Sequence, residues 1–455
     1  MFGTSVKFES KKEGLTVNKK DVRFFPIFLG ATAGVLLEII ATLVDEIVVG
    51  NLFTDEAFAS VNLIEPYTLF EVFIAYLVTV AAAALIVRAH GAGDREKMSQ
   101  LFSQTIIVCG LVGIALTLVY VLFTPQLVRL VADDPAVYEH ALAYFTAIRF
   151  YPLVDVFDTF LFAYVLYRGG FAHFYIAIIS RIGLNALLSW FLGSQMGLMG
   201  IGLASIISLV VALAIKLTFV LSKKHGLQFR WYFNPREALE IAKLGFPESA
   251  ISMFVVLMEM AINGFTLDHY GAAGVAAVAV AVNIFEFTFY LSEGISEYVI
   301  VAVNDSIGKN SSQSMDKAIK TMLRAALIEG MVLFGLILIG SGVLPEAFDI
   351  DNEETFRLAT VMLRILSPTA LFICLSRVTA IFYQYTRRIT RTLLLFGMAI
   401  ALFPILFGRL FGRIAPEGIV AGLALGPVTA FALMYGYVRL IKKEKLFDYA
   451  LMRLN

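Results

Sequence analysis

Apolar residues gather in runs far longer than a soluble core helix needs, and short polar breaks separate them. A bilayer core of about 30 Å takes about 20 residues of helix. Twelve runs reach that length: 24–50, 57–88, 100–123, 137–167, 170–192, 196–222, 240–267, 273–304, 317–342, 355–383, 389–412 and 416–441. Several exceed the minimum, so tilt or interfacial ends are expected. No connection is long enough to hold a soluble domain. The pattern predicts an all-α integral membrane protein with twelve transmembrane helices.

Composition agrees. Of 455 residues, 59% are hydrophobic and 16% charged, where a soluble protein carries about 25% charged. Lys and Arg fall on one side of the predicted spans. They occupy the N-terminal stretch (Lys7 to Arg23), the loop after the second span (Arg88, Arg95, Lys97), the central loop (Lys223, Lys224, Arg230, Arg236) and the C-terminus (Lys442, Lys443, Lys445). The opposite loops are acidic or bare: Asp55 and Glu56, Asp133 and Asp134, Glu346 to Glu354. The positive-inside bias predicts a multi-pass plasma-membrane protein with both termini cytoplasmic. The N-terminus is polar up to Arg23, so no cleaved signal peptide is expected. Cys109 and Cys374 are far apart in apolar segments and predict neither a disulfide framework nor a metal site. Net charge is zero, which gives no electrostatic case for a nucleic-acid partner.

The chain repeats itself. "FFPIFLGATAGVLLEII" (24–40) and "LGFPESAISMFVVLMEM" (244–260) align with Phe25-Pro26 on Phe246-Pro247, a shift of 221 residues. That shift sets Glu38 on Glu259, Gly50 on Gly271, Asn62 on Asn283 and Glu65 on Glu286. A slightly smaller one sets "GAGDREK" (91–97) on "GKNSSQS" (308–314) and Pro152 on Pro368. Each half has six spans, so equivalent helices run the same way. The prediction is two six-helix lobes related by a parallel pseudo-two-fold repeat, with a central cavity between them. The predicted divisions are an N-terminal tail 1–23, a lobe 24–222, a linker 223–237, a lobe 238–441 and a C-terminal tail 442–455.

Carboxylates inside spans cost about 2.5–3.5 kcal/mol each even on lenient insertion scales, so each needs a reason. In "LVDEIVVGN" (43–51), Asp45 lies seven residues after Glu38 and shares its helix face, with Thr42 between them, while Glu46 is turned about 100° away. Asn62 and Glu65 begin the next span at comparable depth. Their counterparts are Glu259, Asn263, Asn283 and Glu286. These acids outnumber the membrane arginines Arg149, Arg181 and Arg377, and unpaired ones are expected to face water or a cation. One cluster, Glu38, Asp45, Asn62 and Glu65, then belongs to the first half, and its partner, Glu259, Asn263, Asn283 and Glu286, to the second. Asp155 and Asp158, one turn apart in the fourth span, either pair with Arg149 or Arg181 or join these functional acids. Glu293 and Glu297 read as a solvated helix end. "VADDPAVYEHA" and "FDIDNEETFRL" read as helix N-caps with first-turn acids. The sequence has no metal-ligand spacing, nucleotide-binding glycine loop or nucleophile motif, and therefore no enzyme signature and no cofactor.

"LVDEIVVGNLFTDEAFASVNL", "RAHGAGDREKMSQ", "YRGGFAHFYIAIISRIGLN", "MGLMGIGLASIIS", "LGFPESAISM", "HYGAAGVAAVAV" and "SEGISEYVIVAVNDSIGKN", in that order and spacing, resemble the multidrug and toxic compound extrusion (MATE) family over nearly the whole chain. The resemblance implies a twelve-helix, two-lobed antiporter that exports organic cations and other amphipathic compounds against Na⁺ or H⁺. The family's first-helix aspartate, its cation-site residue, falls on Asp45 and its fifth-helix asparagine on Asn185. Its second aspartate there is Ser189 in this chain, which leaves Glu38, Glu65 or Asp155 as replacement ligands. By that resemblance Asp45, supported by Glu38, Asn62, Glu65 and Asn185, is expected to take the coupling cation (Na⁺ at Asp45 or H⁺), and Glu259, Asn263, Asn283 and Glu286, with Asp155 and Asp158, a cationic substrate. The seventh-helix glutamate of another branch falls on Val255, with Glu259 one turn on. Lipid-linked oligosaccharide flipping, known in the same superfamily, calls for basic residues in the cavity, where this one reads acidic. A channel or an intramembrane enzyme lacks support. A monomer is expected, whose partners are the bilayer and a small molecule.

Overall fold

The computed structural model describes residues 22–132, 134–222, 229–348 and 352–449. The side chains of Glu38, Asp45 and Glu46 lie outside the described residues, as does Asp133. In chain order the helices are α1 (Phe24–Leu52), α2 (Asp55–Asn62), α3 (Glu65–Gly91), α4 (Arg95–Val131), α5 (Pro135–Ile148), α6 (Tyr151–Tyr167), α7 (Phe171–Met196) and α8 (Leu198–Val220). They continue as α9 (Pro235–Leu291), α10 (Glu293–Gly308), α11 (Ser312–Gly340), α12 (Glu353–Leu366), α13 (Thr369–Tyr385), α14 (Ile389–Phe396), α15 (Phe403–Gly412) and α16 (Pro416–Gly436). Among the described residues, nine helical stretches are long and apolar enough to cross a bilayer, and two bent pairs bring the number to eleven. The 29 residues of α1 reach about 43 Å at 1.5 Å per residue, which completes twelve crossings.

Prolines set the interruptions, because each removes an amide donor and crowds the preceding turn. The α5–α6 pair bends by 53° and the α12–α13 pair by 46°, next to Pro152 and Pro368. In α4, Phe123 leaves helical geometry two residues before Pro125, and Pro66 sits in the first turn of α3. The stretch Gly397–Leu402 widens to a π-helix just before Pro404. Gly271, at φ 64°, is the turn inside α9 between the seventh and eighth crossings. Its counterpart Gly50 lies within α1, so the aligned glycines do different jobs.

The repeat is visible in local chemistry. Asp94 accepts from the Lys97 amide at 2.9 Å and Ser311 from the Ser314 amide at 3.2 Å. These equivalent caps follow the left-handed residues Gly93 (φ 73°) and Asn310 (φ 50°). Asp134 caps α5 and Asn352 caps α12 in the same way, as the "DDP" and "DNEE" stretches predict.

The lobes meet at the end holding Arg88, Arg168, Lys309 and Arg387, hereafter the basic face. Four consecutive alanines of α3, Ala81 to Ala84, are buried at the joint with Ile27, Ala31 and Val299 to Val303; such small side chains let helix backbones approach closely. Nearer the face, a Cβ on Gly91 would stand 2.7 Å from the Asp305 carbonyl, and one on Gly308 would collide with the Arg88 carbonyl. Under the 217-residue offset of the caps these are the same contact seen from either lobe. Arg88 closes the crossing, donating to Asn304 Oδ1 at 3.0 and 2.7 Å and to the Tyr385 carbonyl at 2.9 Å. At the opposite end, Asn62, Glu65, Glu259 and Asn283 are exposed.

Candidate functional site

Three polar groups interrupt the apolar interior. The first lies between the lobes. Glu65 opens α3 in the N-terminal half, whereas Glu259 and Glu286 lie on α9, on either side of Gly271. The fields of all three carboxylates overlap: Glu286 interacts with Glu259 and with Glu65, and Glu259 with Glu65. Glu286 Oε1 and Asn263 Oδ1 are hidden from solvent with no hydrogen-bond partner, and Asn283 turns its amide onto the Ala279 carbonyl at 2.9 Å. Like charges within reach of one another repel, and a proton or an approaching cation relieves that repulsion. Glu65, which the sequence pattern puts with the coupling residues of the first lobe, also lies within reach of the acids of the second. Asn62 is exposed near the start of α3.

The second group is inside the N-terminal half. Asn185 and Ser189, one turn apart on α7, are buried, and Asn185 Oδ1 accepts from Ser208 of α8 at 3.4 Å. Asp155 on α6 is buried and interacts with Glu71 on α3. Glu71 is 2% exposed, and its Oε1 has no hydrogen-bond partner. Asp158 corrects the sequence expectation. Its partner is neither Arg149 nor Arg181 but Lys216 of α8, whose Nζ donates to Oδ2 at 2.7 Å with both side chains almost fully enclosed. Arg181 instead donates to the Tyr151 hydroxyl at 2.9 Å, and Arg149 stacks over Phe150 at 5.2 Å. Asp158 is thus committed to an internal ion pair.

The third group lies below the cleft, toward the basic face. Arg377 donates to Ser296 Oγ at 3.0 Å and sits 4.5 Å over the Phe289 ring, with Glu248 and Glu297 within its field. Glu297 is 8% exposed rather than solvated at a helix end, because the crossing of the two halves covers it. Glu286, Tyr290, Glu293 and Glu297 recur at helical spacing and share one face of the eighth crossing, which leads from the cleft to the seal.

Sequence reasoning passed over Glu71, Lys216 and Glu248. The signal was present: each is a lone charge in an apolar stretch, as in "LFEVF" and "LAIKLTF". Weighing acids against arginines alone left Lys216 out of the balance. Among the described residues no group of three or more His, Cys, Asp or Glu could hold a metal ion; Glu38 and Asp45 fall outside that description.

The MatE family model matches residues 31–191 and 249–413, one stretch in each half. The chain is 26% identical over 440 residues to the "Probable multidrug resistance protein YoeA" of Bacillus subtilis, covering 90% of this chain and 91% of that protein. Among solved structures it superposes on one described as "MATE in complex with MaL6" with a TM-score of 0.83 at 19% identity, over 92% of this chain and 96% of the other. It superposes on "Outward-facing conformation of a multidrug resistance MATE family transporter of the MOP superfamily" at 0.81 and 18%, over 93% and 96%. The same values hold for a MOP superfamily transporter from Pyrococcus furiosus described by "Reverse polarity of binding pocket suggests different function".

Proposed function

The chain belongs to the MatE family of multi-pass membrane transporters, and from that premise we propose that it is a secondary antiporter exporting organic cations or amphipathic drugs in exchange for Na⁺ or H⁺. The observation that carries this reading is that Glu65 of one half and Glu259 and Glu286 of the other lie within electrostatic reach of one another at the end opposite the basic face. Attraction between unit charges in a low-dielectric cleft is several times that in water, so these carboxylates select for cations. The reversed pocket polarity described for the Pyrococcus furiosus transporter makes the sign of this charge the discriminating feature. Flipping of an anionic lipid-linked sugar is disfavoured on the same ground.

The basic face is cytoplasmic by the positive-inside bias, with both termini there and the chain in the plasma membrane. The closed crossing at Arg88, Gly91, Asn304 and Gly308 and the exposed acids of the cleft then describe an outward-open state. Asp45, supported by Glu38, Asn62, Glu65 and Asn185, takes the coupling ion in the N-terminal lobe, while Glu259, Asn263, Asn283 and Glu286 hold the cationic substrate. Inward movement of the ion and outward movement of the cation are coupled because each weakens the binding of the other by the same factor.

The decisive experiment is uptake of a fluorescent organic cation into inside-out vesicles under separately imposed Na⁺ and pH gradients. Uptake driven by one gradient identifies the ion. Uptake driven by neither sinks the antiport reading, and preferential transport of anions sinks the cleft assignment.

A further inference from the structure

A second cavity, of about 380 Å³, opens at the basic face between the two halves, a volume within the range that holds small ligands. Its walls carry charge opposite to that of the cleft. Arg23 and Arg168 come from the N-terminal half and Lys309 from α10, with the His90 ring beside them. The single acid in the wall, Asp305, pairs with Lys309 at 2.6 Å, which leaves the two arginines as the net charge of the wall. Helix ends add to the positive field. The first turns of α1 and α7 border the cavity through Arg23, Pro26 and Phe171. Neither helix has a side-chain cap or an acid in its first turn, so their amides present uncompensated positive ends. Gly169, at φ 78°, lets the chain turn into α7 here with no side chain filling the space.

One donor of this wall lacks an acceptor. Tyr167, a residue 7% exposed, turns its hydroxyl to Glu297, whereas Arg168, which reaches Tyr164, keeps a buried Nε with no hydrogen-bond partner. Such surroundings repel an organic cation, so the cavity is not a second mouth for that substrate. They suit a compact anion with several acceptor oxygens, because guanidinium groups and helix N-termini both bind phosphate.

We propose that this cavity is a phosphate-group site, filled by an anionic lipid headgroup or a soluble phosphate, that bridges the two halves at the basic face. The bound group draws on Arg23 and Arg168 from one half and Lys309 from the other, all beside the Gly91–Gly308 crossing. It therefore favours the closed crossing and slows its opening, since a ligand shifts a conformational equilibrium by its differential affinity for the two states. The proposal needs no assignment of the exported compound. It meets the function proposed above only in the choice of membrane leaflet.

Hydrogen–deuterium exchange of the full chain in phosphatidylcholine nanodiscs tests it. Inorganic phosphate is titrated in one arm, and phosphatidylglycerol replaces part of the lipid in the other. The expected result is slower exchange in 22–27, 87–91 and 166–171. Protection in the phosphate arm alone assigns a soluble anion, and protection in the lipid arm alone assigns a headgroup. Arg168→Gln, and separately Arg23→Gln at an exposed position, should each raise the concentration for half-protection by about tenfold, the worth of one charge-assisted hydrogen bond. No protection in either arm overturns the proposal, as does protection that both variants leave unchanged. Cation uptake by the same variants distinguishes this failure from that of the export reading, because loss of the phosphate response leaves cleft binding intact.

Discussion

Gly308→Ala should open the basic face. The new methyl group would collide with the Arg88 carbonyl on α3, and a backbone atom cannot swing away as a side chain does. The helices must therefore separate by an ångström or so. Overpacking of a close contact costs about 1–3 kcal/mol. The same separation takes the Arg88 bonds to Asn304, at 2.7 and 3.0 Å, beyond useful range, and losing hydrogen bonds to a charged group costs a further 1.5–3 kcal/mol or so. A combined cost of about 2.5–6 kcal/mol moves the ratio of closed to open states by roughly 10²–10⁴-fold. Cys109 and Cys374 are buried, so spin labels attach to introduced cysteines at the exposed positions Arg95 and Gln313, at the basic ends of α4 and α11. Double electron–electron resonance should then show a longer distance population in Gly308→Ala that is minor in the parent. An unchanged distribution in a folded variant would refute the reasoning, since the crossing would then not be what holds the halves together.

Three further outcomes follow from the same contacts. Lys216→Met leaves Asp158 buried and alone, which should cost about 3–5 kcal/mol, read as a lower thermal midpoint in detergent; adding Asp158→Leu should recover most of it, and no recovery would show that the ion pair is not the cause. Glu259→Gln and Glu286→Gln should each weaken binding of a cationic compound about tenfold while sparing the coupling ion, whereas Asp45→Asn should abolish gradient-driven export and spare compound binding; equal effects on both ligands would end the division between the lobes. Asn352→Ala removes the cap of α12 and should lower stability by about 1 kcal/mol with export unchanged, measured as a shift in the thermal midpoint.

Much of this protein is written along the chain. Hydrophobic length, proline position, caps and the 217- to 221-residue repeat are one-dimensional properties, because a helix in lipid must satisfy its own backbone and be long enough to cross. From them come the twelve crossings and the expectation of an acidic cavity between two halves, while the resemblance to the family rests on particular stretches of residues. Asp134 and Asn352 were legible as caps because a cap acts within three residues. Pairing was not legible, because it depends on how helices far apart in sequence rotate against one another. Lys216 finds Asp158 across 58 residues and Arg88 finds Asn304 across 216. Only the packed helices decide that Asp158 is spent on Lys216, and that Glu65 lies within reach of Glu259 and Glu286 of the other half. The same packing buries Glu297 beneath the crossing and sets Arg23, Arg168 and Lys309 around one cavity. Helix formation is fixed by local hydrogen bonds and burial, whereas the electrostatic role of each charge is fixed by its neighbours in space.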